Sequence, residues 1–297
     1  MPCNDCTHCD IVIEAAQIDL SYGITTVRDS YGALVGDKIA DFGKATGSTA
    51  PDLKSAIARN LLPVLNGQAK PEIPLSSVKL LPPIPNADKV LCVGLNYKAH
   101  VEEAGRSDSQ YPVMFTRFND SHVGHDEPMV RPKVSSHFDY EGELAVIIGK
   151  PGRYIAKADA LKHIAGYACY NDGSIRDWQM HTHQFIPGKN FPQSGSYGPW
   201  MVTADEIADP SKLTLITRLN GQELQRTGTD LMIFPIPELI EYISGFTTLN
   251  PGDVIATGTP GGVGFKRKPP LYMKAGDVVE VDISSVGVLR NPIVDEK

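Results

Sequence analysis

Hydrophobic positions along this chain recur mostly at the period of a strand, in short runs separated by turn residues. "KVLCVGL" (89–95), "YPVMFTRF" (111–118) and "IAGYACYND" (164–172) each predict a strand, the last ending in polar residues. "LTLITRLNGQELQRT" (213–227) predicts a hairpin, because Asn220-Gly221 suits a type I′ turn. The turns "PGD" (251–253) and "AGD" (275–277) each launch a further strand. Helical periodicity is confined to a few places. "NYKAHVEEAG" (96–105) predicts a short helix stopped by Gly105, and "SIRDWQMH" (174–181) one or two turns. "IPELIEYISGF" (236–246) is amphipathic, and a weak helix is expected over 51–67. Pro71, Pro74, Pro82, Pro83 and Pro85 then crowd one connector. The pattern predicts a β-rich α+β protein, a mixed β-sandwich roll, with a small N-terminal domain over 1–85 and the main domain over 86–297.

One run departs from this pattern. "FDYEGELAVIIGK" (138–150) ends in unbroken apolar sequence, as in a strand buried on both faces, yet it begins with Asp139, Glu141 and Glu143. Residues two apart on a strand share a face, so the two glutamates project together, with Ala145 and Ile147 continuing inward. Two ionised carboxylates at a core edge repel and lose hydration unless a cation joins them. That cation could be a Lys or Arg at a wet strand end, or a metal ion. A third carboxylate, Asp172, ends another buried strand just before a helical turn carrying Arg176 and Gln179 on one face. Three carboxylates without His or Cys suit a hard divalent ion: Mg²⁺, Mn²⁺ or Ca²⁺. A second constellation is His100 and Glu103, at i and i+3 of the predicted helix. It suits a general base oriented by a carboxylate, or an ordinary solvated pair on a polar helix.

Composition narrows the class. A 297-residue chain with 41% hydrophobic and 21% charged residues is ordinary globular material. Its net charge of −7 argues against nucleic-acid and anionic-membrane partners. No apolar run approaches the roughly 20 residues of a membrane span, and no signal-peptide pattern opens the chain, so a soluble cytoplasmic protein is expected. Lys266-Arg267-Lys268, beside two prolines, reads as a solvated loop. Cys3, Cys6, His8 and Cys9 could hold zinc, but four ligands in so short a span leave little chain to wrap a tetrahedron; a mobile, reduced tail is preferred. Cys92 and Cys169 read as core, and Trp178, Tyr197 and Trp200 as core or pocket wall. His181 and His183 could form a metal pair, but their polar loop favours a simpler role. No dinucleotide fingerprint, P-loop or Gly-x-Ser-x-Gly elbow is present.

Five motifs in one order carry a resemblance: Asn-Tyr-x-x-His-x-x-Glu, Asp-x-Glu-x-Glu, Asn-Asp-x-x-x-Arg-Asp-x-Gln, Gly-Lys-Asn-Phe and "ATGTPGGVG". Together, over roughly 88–293, they resemble the fumarylacetoacetate hydrolase family, in its acylpyruvase-like (2,4-dioxo acid hydrolase-like) branch. The resemblance implies a divalent ion, Mg²⁺ or Mn²⁺ with Ca²⁺ an alternative, on Glu141, Glu143 and Asp172. It implies Lys189 and Gln179 at the reacting carbons, Arg176, Thr259 and Tyr97 as substrate contacts, and His100 with Glu103 on a lid helix. A homodimer is implied as well. Gly173 stands where many relatives carry Trp, which should reshape the pocket wall. The implied reaction is hydrolytic cleavage of a C–C bond in a 2,4-dioxo acid, giving pyruvate and a carboxylic acid. The alternative is decarboxylation or tautomerisation of a 2-oxo dicarboxylate such as oxaloacetate, and a third is a silent binder of small oxo acids.

Overall fold

The structure, a computed structural model, describes residues 9–19, 24–67, 70–105 and 109–297. Cys3, Cys6, His8 and the side chain of Cys9, the proposed zinc ligands, lie outside the described residues, as does the start of the chain. The described residues form a β-rich α+β fold of two packed sheets with short helices. The larger sheet has twelve strands. Its centre runs Gly195–Thr203, Ile164–Asn171, Gly142–Ile148, Val254–Ala256, Val90–Gly94 and Val113–Arg117 in spatial order. Most pairs are antiparallel, but Val254–Ala256 runs parallel to Val90–Gly94, so the sheet is mixed. The N-terminal strands Cys9–Asp19, Ile24–Val35 and Lys38–Asp41 extend the same sheet, joined where Cys9 pairs with Val202.

The smaller, five-stranded sheet runs Gln222–Gly228, Thr214–Leu219, Val278–Ile283, Gly287–Asp295 and Met129–Arg131. It opens with the expected hairpin. Asn220 (φ 53°) and Gly221 (φ 78°) both take the left-handed conformation that a type I′ turn demands. The helix Ile236–Phe246 buries Ile236, Leu239, Ile240 and Ile243 at helical spacing against the core between the sheets. The helix expected over 51–67 is two helices, Leu53–Ala58 and Leu62–Gly67, separated at Asn60 (φ 54°). Asp52 caps the first by accepting the Ser55 N–H at 2.7 Å.

Strand Gly142–Ile148 lies at the middle of all this, and every one of its residues is buried. Leu144, Val146 and Ile148 face the core shared with the small sheet. Ala145 and Ile147 face a second core, closed by Phe42, Leu53 and Ile57. The unbroken apolar run thus serves two cores at once. Cys92, Cys169, Tyr197 and Trp200 are core residues, as expected.

Candidate active site

Just before and at the start of that strand, Glu141 and Glu143 enter the structure side by side, and both are buried. The neighbouring strand Ile164–Asn171 delivers Asp172 one residue beyond its end. Two contacts fix the spacing: the Asp172 N–H donates to the Glu141 carbonyl (2.9 Å), and the Asn171 Oδ1 accepts the Glu141 N–H (3.0 Å). One carboxylate oxygen from each of Glu141, Glu143 and Asp172 lies within 4.8 Å of the others. Sequence periodicity and structure agree on this cluster. Its chemistry, three buried oxygen donors without sulfur or imidazole, fits a hard divalent cation.

Cations already crowd the cluster. Lys189 Nζ lies 2.6 Å from both Glu141 Oε2 and Asp172 Oδ2. Arg176 donates Nε to Asp139 Oδ2 (2.8 Å), and its Nη1 contacts Glu141 Oε1 (2.6 Å) and Gln179 Oε1 (2.9 Å). Arg117, which the sequence did not mark out, donates to Asp172 Oδ1 (2.7 Å), the Gly173 carbonyl and Ser194 Oγ. Its signal was available: Phe115 and Arg117 share the buried face of a strand, and a buried guanidinium requires a partner. Burial opposes ionisation of Glu141, but Arg176 and Lys189 hold its carboxyl well below the usual range. Glu143 goes the other way. Burial first, then the charges of Asp172 and Glu141, push its carboxyl well above the ordinary value, despite the Gly258 N–H donated to Oε2 at 2.8 Å.

Glu141 and Glu143 of the cluster line a cavity of about 400 Å³. Its wall includes His100, Phe115, Arg176, Gln179, Lys189, Thr259 and Phe265, with His181, His183 and Lys266 among the remaining lining residues. The helix Lys98–Ala104, ended by Gly105 in the left-handed conformation (φ 68°), carries His100 and Glu103. His100 Nδ1 and Glu103 Oε2 are 3.6 Å apart, beyond hydrogen-bond length, and Nδ1 is buried without a partner. Glu103 instead accepts the Gly262 N–H at 3.0 Å. Burial works against its charge, yet the nearby imidazole and that N–H keep its carboxyl below the ordinary value.

Other expectations land differently. Tyr97 does not line the cavity: its ring belongs to the core between the sheets, and its buried hydroxyl has no partner. Thr259 lines the cavity, but its hydroxyl donates to the Gly142 carbonyl (3.0 Å) and accepts from Gln225 Nε2 (2.9 Å). Gly173 does not shape the wall. A Cβ there would lie 2.0 Å from the Ser194 carbonyl oxygen, so the backbone packing leaves no room for any side chain. Lys266-Arg267-Lys268 is not simply a solvated loop. Lys266 lines the cavity, and Arg267 donates to Tyr140 Oη and the Leu224 carbonyl. The cause is Asp139, which accepts the N–H groups of Gly264 and Phe265 and so pins the turn inward. Gly188 is a further requirement, since a Cβ would lie 2.4 Å from Gln179 and separate the turns that carry Gln179 and Lys189. Trp178 packs edge-on to Phe191, outside the cavity wall.

Comparison with known proteins places this geometry in context. The family model described as fumarylacetoacetate (FAA) hydrolase, C-terminal, matches residues 89–294. The mitochondrial oxaloacetate tautomerase FAHD2A of Bos taurus is 43% identical over 226 residues, covering 75% of this chain and 72% of that protein. A putative HpcE protein from Mycobacterium smegmatis superposes with a TM-score of 0.85 at 32% identity, covering 97% of this chain and all (100%) of that one. Maleylpyruvate hydrolase from Sphingobium sp. SYK-6, solved with manganese(II) and pyruvate, gives a TM-score of 0.76 at 28% identity, covering 97% of this chain and 100% of that chain.

Proposed function

The chain belongs to the fumarylacetoacetate hydrolase family, and from that premise we propose that it is a divalent-metal-dependent tautomerase of an oxaloacetate-type 2-oxo acid. The observation that carries the proposal is the buried Nδ1 of His100, without a hydrogen-bond partner among the described residues, on the wall of a cavity lined by Glu141 and Glu143, with Asp172 clustered behind them. The choice of reaction draws support from the 43% identity to a protein named as an oxaloacetate tautomerase. Mg²⁺ or Mn²⁺, held by the three carboxylates, would supply Lewis acidity to the 2-oxo group and so acidify the adjacent C–H.

The chain's own residues supply the remainder. Arg176 is fixed by Asp139 and Glu141, and its Nη2, buried and unpartnered, is free to take the substrate's head carboxylate. Gln179 gives its oxygen to Arg176 and turns its amide N–H to substrate. Lys189 stays protonated, because Asp172 and Glu141 outweigh the burial that opposes its charge; it adds positive potential where negative charge develops. His100 removes the proton from the carbon beside the 2-oxo group, the C–H electron pair becomes the C=C bond, the C=O π pair moves to the oxygen, and that oxygen takes a proton back from the imidazolium, directly or through water, which resets the base. Atoms balance without a co-reactant.

A second reading is hydrolytic C–C cleavage of a 2,4-dioxo acid. It is supported by Glu103 beside His100, a pairing suited to activating water, and by the fold shared with maleylpyruvate hydrolase. The test gives EDTA-treated and Mg²⁺-loaded protein oxaloacetate, following the enol by ultraviolet absorbance, and acetylpyruvate, following released pyruvate. Enol–keto exchange above background only with the ion is expected. Acetylpyruvate cleavage with oxaloacetate exchange at its background rate would put the second reading in first place.

A further inference from the structure

We propose that Lys266 receives the distal carboxylate of a dicarboxylic 2-oxo acid and so sets the enzyme's preference for a doubly charged substrate; this rests on the reaction class proposed above. Among the described residues, three Lys or Arg side chains line the cavity: Arg176, Lys189 and Lys266. The first two are committed to Asp139, Glu141 and Asp172. Lys266 makes no ion pair with any described residue, and its one polar contact is a long 3.4 Å donation to the Ala104 carbonyl. An ammonium has three donors, so Lys266 keeps free hydrogen-bonding capacity towards the cavity.

Its placement matches the substrate. Phe265 packs against both cations: Arg176 Cζ lies 4.3 Å from the ring centroid and Lys266 Nζ 5.0 Å. A short dicarboxylate whose head carboxylate meets Arg176 Nη2 would extend past this ring and bring its far end to Lys266. Among the described residues, the carboxylates lining the cavity are Glu141 and Glu143, and the lining residues Met180, His181, Thr182 and His183 bring no negative charge. The apolar Phe265 face also keeps water from screening the pair fully.

The experiment measures binding to Mg²⁺-loaded protein by calorimetry with two ligands, oxaloacetate and its 4-methyl ester, which keeps the 2-oxo acid head but removes the distal charge. The parent should bind the diacid about tenfold more tightly than the ester, the scale of one charge-assisted hydrogen bond. Lys266→Gln should weaken the diacid about tenfold and leave the ester within about twofold, and Lys266→Arg should restore the preference. Equal weakening of both ligands would mean that Lys266 only ties down Ala104, and would overturn the proposal. So would an unchanged diacid affinity, or a parent that binds neither ligand. Turnover is scored separately: a parent that binds oxaloacetate without exchanging its tautomers refutes the assigned reaction, while the comparison of the two ligands still decides the role of Lys266.

Discussion

Glu143→Gln replaces a carboxyl whose charged form the metal-free protein disfavours. In the unfolded chain this group ionises near its ordinary value of 4.5; in the native protein burial, Asp172 and Glu141 move it well above that. Above pH 4.5 the native state therefore holds a proton that the unfolded chain has lost. The stabilisation is complete below 4.5 and is lost as pH rises towards the native value, by about 1.4 kcal/mol per pH unit. Glutamine has the same shape and no charge, so it escapes the loss. As pH rises above 4.5 the variant's advantage over the parent should widen, at a rate of up to about 1.4 kcal/mol per pH unit. The assay is urea unfolding in EDTA at pH 5, 6 and 7. Mg²⁺ should narrow the gap, because the ion favours the ionised carboxylate of the parent and the variant has lost a ligand charge. A gap that stays constant with pH would refute the raised carboxyl, and equal stabilisation of both proteins by Mg²⁺ would refute Glu143 as a ligand.

Arg117→Met should cost the metal-free protein about 3–5 kcal/mol, because Asp172 would lose a buried partner; urea unfolding in EDTA measures it, and a negligible loss would mean that Lys189 alone balances Asp172. His100→Gln should lower tautomerase turnover by about 10²-fold, as for a positioned base; calorimetry should show oxalate binding unchanged, and undiminished turnover would remove His100 from proton transfer. EDTA should abolish activity and Mg²⁺ or Mn²⁺ restore it, and full activity in protein shown metal-free by elemental analysis would remove the ion from the reaction. The contribution of His122 to stability should fall on acidification below about pH 6.5, because burial and Arg117 hold it well below its ordinary value, so the unfolded chain gains a proton that the native state refuses; urea unfolding should show the stability difference between parent and His122→Gln moving in favour of the variant as pH falls, and a difference constant with pH would refute it.

The acidic cluster was legible because its signal is local. A strand alternates faces, and the apolar run after Glu143 leaves nowhere for two charges to go except a cation. The hairpin was legible for the same reason, since Asn-Gly suits its φ values without outside help. Arg117 was less so: its partner Asp172 is 55 positions away, and only the pairing of whole strands brings them together. Lys266 was misread because three cations beside prolines look solvated from within. What turns it inward is Asp139, again far along the chain. Tyr97 shows the converse error. Its place three residues before His100 in one motif suggested a shared site, but Tyr97 is the extended N-cap residue of the helix that carries His100, and its ring packs in the core.

The backbone bond from Asp172 to Glu141 and the ladder behind it have an evolutionary consequence. Glu143 lies opposite Tyr170, and Gly142 opposite Asn171, so the spacing of the three carboxylates is written in strand register and not in side-chain packing. Inserting or deleting one residue within 142–148 or 164–171 would turn the following side chains to the opposite face and exchange the two cores. Descendants of this gene can therefore change its surface loops in length, but these two strands can change only by substitution. Drift in length stops where the ion would sit.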